Sequence, residues 1–243
     1  MRLGAPYPQG AAGYATRVEL PDGTPAVLKL ANPHRESEQE ADALERWDGD
    51  GAVRLLARDD GHHALLLERC EPGTFLSERA AAEALDVLIG LLPRLWKSPA
   101  GFHTLVDEIA FWEQGDFGSH SDPGLVELAR GLARELAATQ GELALVHQDL
   151  HGDNVLAAER EPWLVIDPKP LAAEREFAAA PIVRSPELGH SRRDALYRLD
   201  RLCAELGLDR ERARGWTIVQ TVAWSGGSDY VPEHMATVGW LLG

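Results

Sequence analysis

The sequence predicts an α+β fold in two lobes, a small antiparallel sheet that carries one helix and a larger, mainly helical lobe. Three observations predict it. Short apolar runs alternating with turns occupy the first seventy residues, Ala- and Leu-rich runs of helical length dominate the rest of the chain, and the change of character falls at one turn, EPGT. The expected division is a small lobe over 1–69, a hinge over 70–74 and a large lobe over 75–243.

Each element has its own signal. In the small lobe GYATRVEL, AVLKLA, AVRLLARDD and HHALLLERC read as strands, the first two joined by the turn PDGTP. Between the second and third lies HRESEQEADALERW, where Ala41, Leu44 and Trp47 recur at helical spacing while acidic residues cover the other faces. In the large lobe SERAAAEALDVLIGLLPRLW, FHTLVDEIAFWEQ and PGLVELARGLARELAAT read as helices, with Ser77 and Pro123 as starting residues. LALV and WLVID are short strands, and NVLAAERE is the expected hairpin partner of the second. Helices return at RRDALYRLDRLCAEL, RERARGWTIVQTVAW and PEHMATVGWLL.

Composition narrows the function. The 243 residues are 44% apolar, enough for an ordinary core. Asp and Glu number 39 against 24 Lys and Arg, a formal net charge of −15 that repels a phosphate backbone and draws in cationic small molecules. Nucleic acid is therefore not the expected partner. The two cysteines, Cys70 and Cys203, require no disulfide framework, the N-terminus lacks a basic segment followed by an apolar run, and LDVLIGLLPRLW is interrupted by Pro93 and Arg94. These features predict a cytoplasmic protein without membrane insertion, acting as a monomer or dimer.

HQDLHGDNV, residues 147–155, concentrates acid, base and metal-ligand groups. His147 and His151 are four apart, as in zinc hydrolases, but Gln148 replaces the glutamate base of such sites and Gly152 and Asp153 follow where a helix should continue. Phosphoryl transfer fits better. It needs an aspartate to orient a hydroxyl and accept its proton, a role for Asp149, and hard oxygen ligands for magnesium, roles for Asn154 and for Asp167 at the end of WLVID. A cation on the phosphates is supplied by Lys29 in the strand AVLKL, and Glu40, directly before the apolar Ala41 and Leu44, is placed to orient it.

With these residues in order, the sequence resembles the aminoglycoside phosphotransferase family, which shares the protein-kinase-like fold, and within it the streptomycin 6-kinase and hydroxyurea-resistance kinase group. HQDLHGDNVL resembles the family's catalytic loop and WLVIDPKP the group's magnesium segment; PDGTPAVLKL, HRESEQEADALERWDG, LLLERCEPGT and GLDRERARGW extend the likeness over nearly the whole chain. The resemblance implies ATP and Mg²⁺ as cofactors, with Lys29 on the phosphates, Glu40 paired to it, Asp149 as base, and Asn154 and Asp167 on the metal. It also implies a hinge at 67–70 whose backbone groups at Glu68 and Cys70 meet adenine. His147 is expected to brace the loop. His151 either helps place Asp149 or a phosphate or is a plain loop residue.

The likeness is incomplete in two places. GAAGYATRV offers only Gly10 and Gly13 for a phosphate-covering loop, and Ala173, Glu174, Arg175 and Ala178 depart from the group's pattern after IDPKP, where a loop anchor is expected. On the acceptor side, Trp224, Asp229 and Glu233 in AWSGGSDYVPEHM could meet amino or guanidino groups, while solvated turn and helix-start roles are the favoured reading of the two carboxylates. The expected function is transfer of the γ-phosphate of ATP to a hydroxyl of a small cationic molecule, a streptomycin-type aminoglycoside first. Alternatives are a kinase of another hydroxyl compound, such as a sugar, amino alcohol or hydroxyurea, or a non-catalytic nucleotide-binding module of the same fold.

Overall fold

The computed structural model describes residues 1–7, 13–31, 34–226 and 231–243. Five antiparallel strands form the small-lobe sheet: β1 (Arg2–Pro6), β2 (Gly13–Glu19), β3 (Pro25–Ala31), β4 (Leu55–Asp59) and β5 (Ala64–Glu68), in spatial order β1-β2-β3-β5-β4. The β2–β3 turn is closed by Asp22, whose carboxylate accepts the Thr24 N–H at 2.9 Å, and by Gly23, whose φ of 87° suits a residue without a Cβ. Central β3 carries Lys29 opposite Leu65 of β5.

The helix of this lobe, α1 (Glu40–Trp47), is shorter than the expected run from His34. Residues 35–39 are turned instead, because their side chains are engaged by the large lobe. Arg35 pairs with Glu108 at 2.9 Å, and Gln39 donates to the Gly101 carbonyl and accepts the His103 N–H, both at 2.8 Å.

In the large lobe α2 (Ala81–Leu95), α3 (Leu105–Gln114) and α4 (Pro123–Ala138) are followed by β6 (Leu143–His147), β7 (Val155–Ala157), β8 (Trp163–Val165) and β9 (Pro170–Glu174), then α5 (Ala180–Arg184), α6 (Arg192–Leu206), α7 (Arg210–Ala223) and α8 (Pro232–Leu242). β7 and β8 form the expected hairpin, and β6 pairs with β9. Pro123 opens α4 behind an Asp122 cap, but Ser77 does not open α2, which starts at Ala81; the Ser77 hydroxyl instead donates to Asp153. Pro93 falls in the last turn of α2 and does not end it.

β1, β9 and α5 were not expected from sequence. β9 is buried on both faces, so no alternation marks it; β1 is exposed on both, and α5 spans only five residues. β9 ends on Glu174, 1% exposed, which accepts from Arg212 at 2.6 Å, from the Gly141 N–H at 3.0 Å and from the Trp216 indole. The segment after IDPKP thus has an anchor of its own. α7, buried from Gly215 to Ala223, forms the centre of the large lobe.

The lobes are joined behind the cleft. Val53 donates to the Val165 carbonyl at 3.0 Å, Val165 to that of Gly51 at 2.9 Å, and Arg160 binds Glu68 together with the Gly49 and Ala52 carbonyls. Trp47, 1% exposed, donates its indole N–H to Leu95 at 2.8 Å and stacks on His147 at 6.5 Å and 21°. Among the described residues no helix is long and apolar enough to cross a membrane.

Trp47→Ala is expected to cost about 3–5 kcal/mol through the cavity it leaves, read by denaturant unfolding monitored by circular dichroism. Burial lowers the His147 imidazole to about 4. The unfolded chain, with a His near 6.5, therefore binds a proton that the folded chain refuses, and stability present above pH 6.5 is lost as pH falls toward 4, by up to about 3 kcal/mol from this residue. His147→Asn should flatten that part of the pH–stability curve; an unchanged slope between pH 7 and 5 would remove His147 as its source.

Candidate active site

Lys29 projects from β3 into a trio of charges, of which it and Glu40 are buried and Asp167 is partly exposed. Its ammonium donates to both Glu40 oxygens at 2.7 Å and to the carboxylate of Asp167. Glu40 is 1% exposed at the start of α1, and Asp167 follows β8, so one ammonium joins the two lobes. Burial disfavours charge on Lys29, but Glu40 and Asp167 outweigh it and hold its pKa above the ordinary lysine value. Burial also raises the Glu40 carboxyl, with the lysine opposing.

The catalytic-loop candidates leave β6 in order. His147 closes the strand, and its Nδ1 accepts the Asp149 N–H at 3.1 Å, placing the proton on Nε2. This is the bracing contact expected of it; with His147 on a strand and His151 in the following loop, the two imidazoles share no helix face. Gly152 lies so near Ser77 that a Cβ would come within 2.8 Å of its backbone. Asn154 donates its amide N–H to the Asp149 carbonyl at 2.8 Å, which leaves the amide oxygen as its free acceptor. Its backbone carbonyl accepts the Ile166 N–H at 2.9 Å, so Asn154 and Asp167 stand at the same end of the β7–β8 hairpin. Asp167 has φ 52°, a left-handed backbone that an aspartate tolerates in a turn.

Asp149 is enclosed by basic side chains. Lys169 lies 3.0 Å from Oδ2, Arg184 3.6 Å from Oδ1, and His151 Nε2 3.9 Å from Oδ2. Burial alone would raise the Asp149 carboxyl, but Lys169, Arg184 and His151 overcome it and hold it below the usual carboxylate range. Lys169 also pairs with Glu36 at 3.1 Å, and the two carboxylates raise its pKa against the effect of burial. Arg184 is fixed by Gln220 at 2.8 Å.

Asp149, Asp167, Lys169 and Arg184 line one cavity of about 860 Å³, walled by Glu36, Asp116, Trp112, Thr221, Trp224 and His234 among others. Trp224 is therefore in the cleft, with the Lys169 ammonium 5.1 Å and the Arg184 guanidinium 4.7 Å from its ring. Glu233 is not brought there: it is exposed on the first turn of α8, and the next residue, His234, takes the inward position. Asp229 and Gly10 lie outside the described residues. Glu68 ends β5 with its N–H donated to the Arg54 carbonyl at 2.9 Å and its carboxylate on Arg160, so at most its backbone carbonyl is left for a base. Cys70 is buried, which pushes its thiol up to about 12.

Lys169, Arg184 and Gln220 were not singled out by sequence reasoning. Lys169 had a signal, a lone charge between two prolines in the segment DPKP; Arg184 had a weaker one, a cation ending the apolar run AAAPIV.

Residues 6–228 match the family described as aminoglycoside/hydroxyurea antibiotic resistance kinase. The chain is 41% identical over 261 residues to a hydroxyurea phosphotransferase of Kitasatospora aureofaciens, covering 100% of this chain and 75% of that protein. It is 38% identical over 231 residues to a streptomycin 6-kinase of Streptomyces griseus, covering 88% and 75%. Among solved structures it superposes on the choline kinase LicA of Streptococcus pneumoniae with a TM-score of 0.72 at 14% identity, over 100% of this chain and 94% of that one. For the aminoglycoside phosphotransferase APH(4)-Ia the TM-score is 0.68 at 16% identity, over 99% and 93%. The fold is the two-lobed, protein-kinase-like one, and the chain belongs to the aminoglycoside/hydroxyurea antibiotic resistance kinases.

Proposed function

We propose that the chain is an ATP- and magnesium-dependent kinase that moves the γ-phosphate to a hydroxyl of a small cationic molecule, with a streptomycin-type aminoglycoside as the leading acceptor. One observation carries the reading: Lys29 of the small lobe reaches Asp167 of the large one at the edge of a cavity that Asp149 also lines. The streptomycin 6-kinase relative supports the acceptor, and same-fold structures crystallised with AMP or with AMP-PNP and hygromycin B support the nucleotide. A hydroxyurea acceptor is the second reading, favoured by the 41% identity over 100% of the chain.

The donor set suits magnesium. Asp167 offers a carboxylate and Asn154 a free amide oxygen, hard ligands on neighbouring strand ends, and these two residues would hold the ion. When bound, magnesium supplies neutralising charge to the phosphate oxygens. Lys29 adds its ammonium to the same task, kept charged and aimed by Glu40. Asp149 orients the acceptor hydroxyl and takes up its proton, at an oxygen that Lys169 and Arg184 keep ionised. Backbone groups at Glu68 and Cys70 form the proposed adenine edge, and His151 and Trp224 the acceptor rim.

Mass spectrometry of streptomycin and of hydroxyurea, incubated with the protein, ATP and magnesium, should show gain of one phosphoryl group on at least one. No modified acceptor alongside intact nucleotide binding would instead support a non-catalytic module. Asp149→Ala is expected to bind ATP as before and to lose turnover by about 10²- to 10⁴-fold, the usual worth of a positioned base. Asp167→Ala should lose the magnesium-dependent part of nucleotide binding, measured by calorimetric titration with and without the ion.

A further inference from the structure

We propose that Lys169, held by Glu36, is a positioning residue that sets the direction of the Asp149 carboxylate; the inference rests on the phosphotransferase reading above. Both Asp149 oxygens are engaged, but by cations of different kinds. Arg184, on Oδ1 at 3.6 Å, is 4% exposed and tied to Gln220, whose amide donates at 2.7 Å to the carbonyl of Gln148, next to the base itself. It belongs to the floor on which the loop rests. Lys169, on Oδ2 at 3.0 Å, has a side chain 25% exposed in the cleft and a second hold on Glu36 at 3.1 Å. Glu36 lies in the turn leading into α1, so Glu36–Lys169–Asp149 is a chain of charges that crosses the cleft.

The consequence concerns direction more than charge. With Lys169 removed, the nearest remaining cation draws Asp149 toward Oδ1 and the floor. With Lys169 present, the carboxylate is pulled from both sides and keeps one orientation toward the cavity. The Trp224 ring, 5.1 Å from the ammonium, limits where the lysine can go. Among the described residues no hydrogen bond or ion pair links Glu36 or Lys169 to Lys29, Glu40 or Asp167, so the pair should govern how often a bound hydroxyl meets a correctly turned base and leave nucleotide binding alone.

The test compares wild type with Lys169→Met, Lys169→Arg, Glu36→Gln and the Glu36→Gln/Lys169→Met double variant, with streptomycin and hydroxyurea as acceptors and ATP titration as the check on folding. Lys169→Met is expected to lower kcat about 10²-fold, the scale of a misplaced reacting group, with both KM values near wild type. Lys169→Arg should recover part of the loss, and Glu36→Gln should lose less than Lys169→Met. The double variant should be no slower than Lys169→Met alone, because Glu36 acts through the lysine. A wild-type kcat in Lys169→Met, or losses that simply add in the double variant, overturns the proposal. If Lys169→Met fails to bind ATP, Glu36→Gln and Lys169→Arg decide, and wild-type kcat in both overturns it. A wild type that modifies neither acceptor overturns the phosphotransferase reading and this one with it.

Discussion

One buried ammonium sets the relation between the two halves of the molecule. Lys29 is shared by Glu40 and Asp167, two carboxylates that arrive from different lobes, in surroundings where any one charge left alone would be expensive. Removing one partner of such a group commonly costs about 3–5 kcal/mol, because the remaining charge stays buried without compensation. This constrains the chain around it. β3 must be central so that its lysine is covered on both sides, α1 must begin at Glu40, and the turn after β8 must bring Asp167 around with a left-handed backbone.

A second group of charges surrounds Asp149 and works under the same rule. The base candidate is more than four-fifths covered, with a side chain 17% exposed, yet stays ionised because Lys169 and Arg184 are close. The two groups meet along the sequence DPK, where Asp167 serves the first and Lys169 the second. A three-residue stretch thus connects the two groups of charges, held between β8 and β9, whose first residue, Pro170, is buried.

Much of this was legible in the sequence. Strands with alternating or continuous apolar runs, helices with a clear stripe, and charged residues in otherwise apolar company were all readable, and Lys29, Glu40 and Asp167 were picked that way, whereas Asp149 and Asn154 were picked for the acid, base and metal-ligand groups crowded into HQDLHGDNV. Of those five, Asp149 and Asp167 line the cleft, Lys29 bridges Asp167 to Glu40, and Asn154 donates to the Asp149 carbonyl. The elements that escaped were the ones whose pattern depends on their neighbours: β9 is covered on both faces, and α5 is too short to show a period. The same applies to site residues. Arg184 and Gln220 look like ordinary members of buried helices until the fold sets them beneath Asp149, and Glu233 and His234 differ by one helical position that sequence alone does not resolve.

Sequence order assigns α1 to the small lobe, but its hydrogen bonds go elsewhere. Gln39 binds Gly101 and His103, Arg46 the Ser98 and Ala100 carbonyls, and Trp47 that of Leu95, all in the large lobe. Toward the sheet its polar ties are chiefly the Glu40–Lys29 pair and the Asp42–Arg58 pair. The mechanical seam of the molecule therefore runs inside the small lobe, between helix and sheet. The Glu40–Lys29 pair bridges that seam and couples the strand that carries the ammonium to a helix fastened on the opposite lobe.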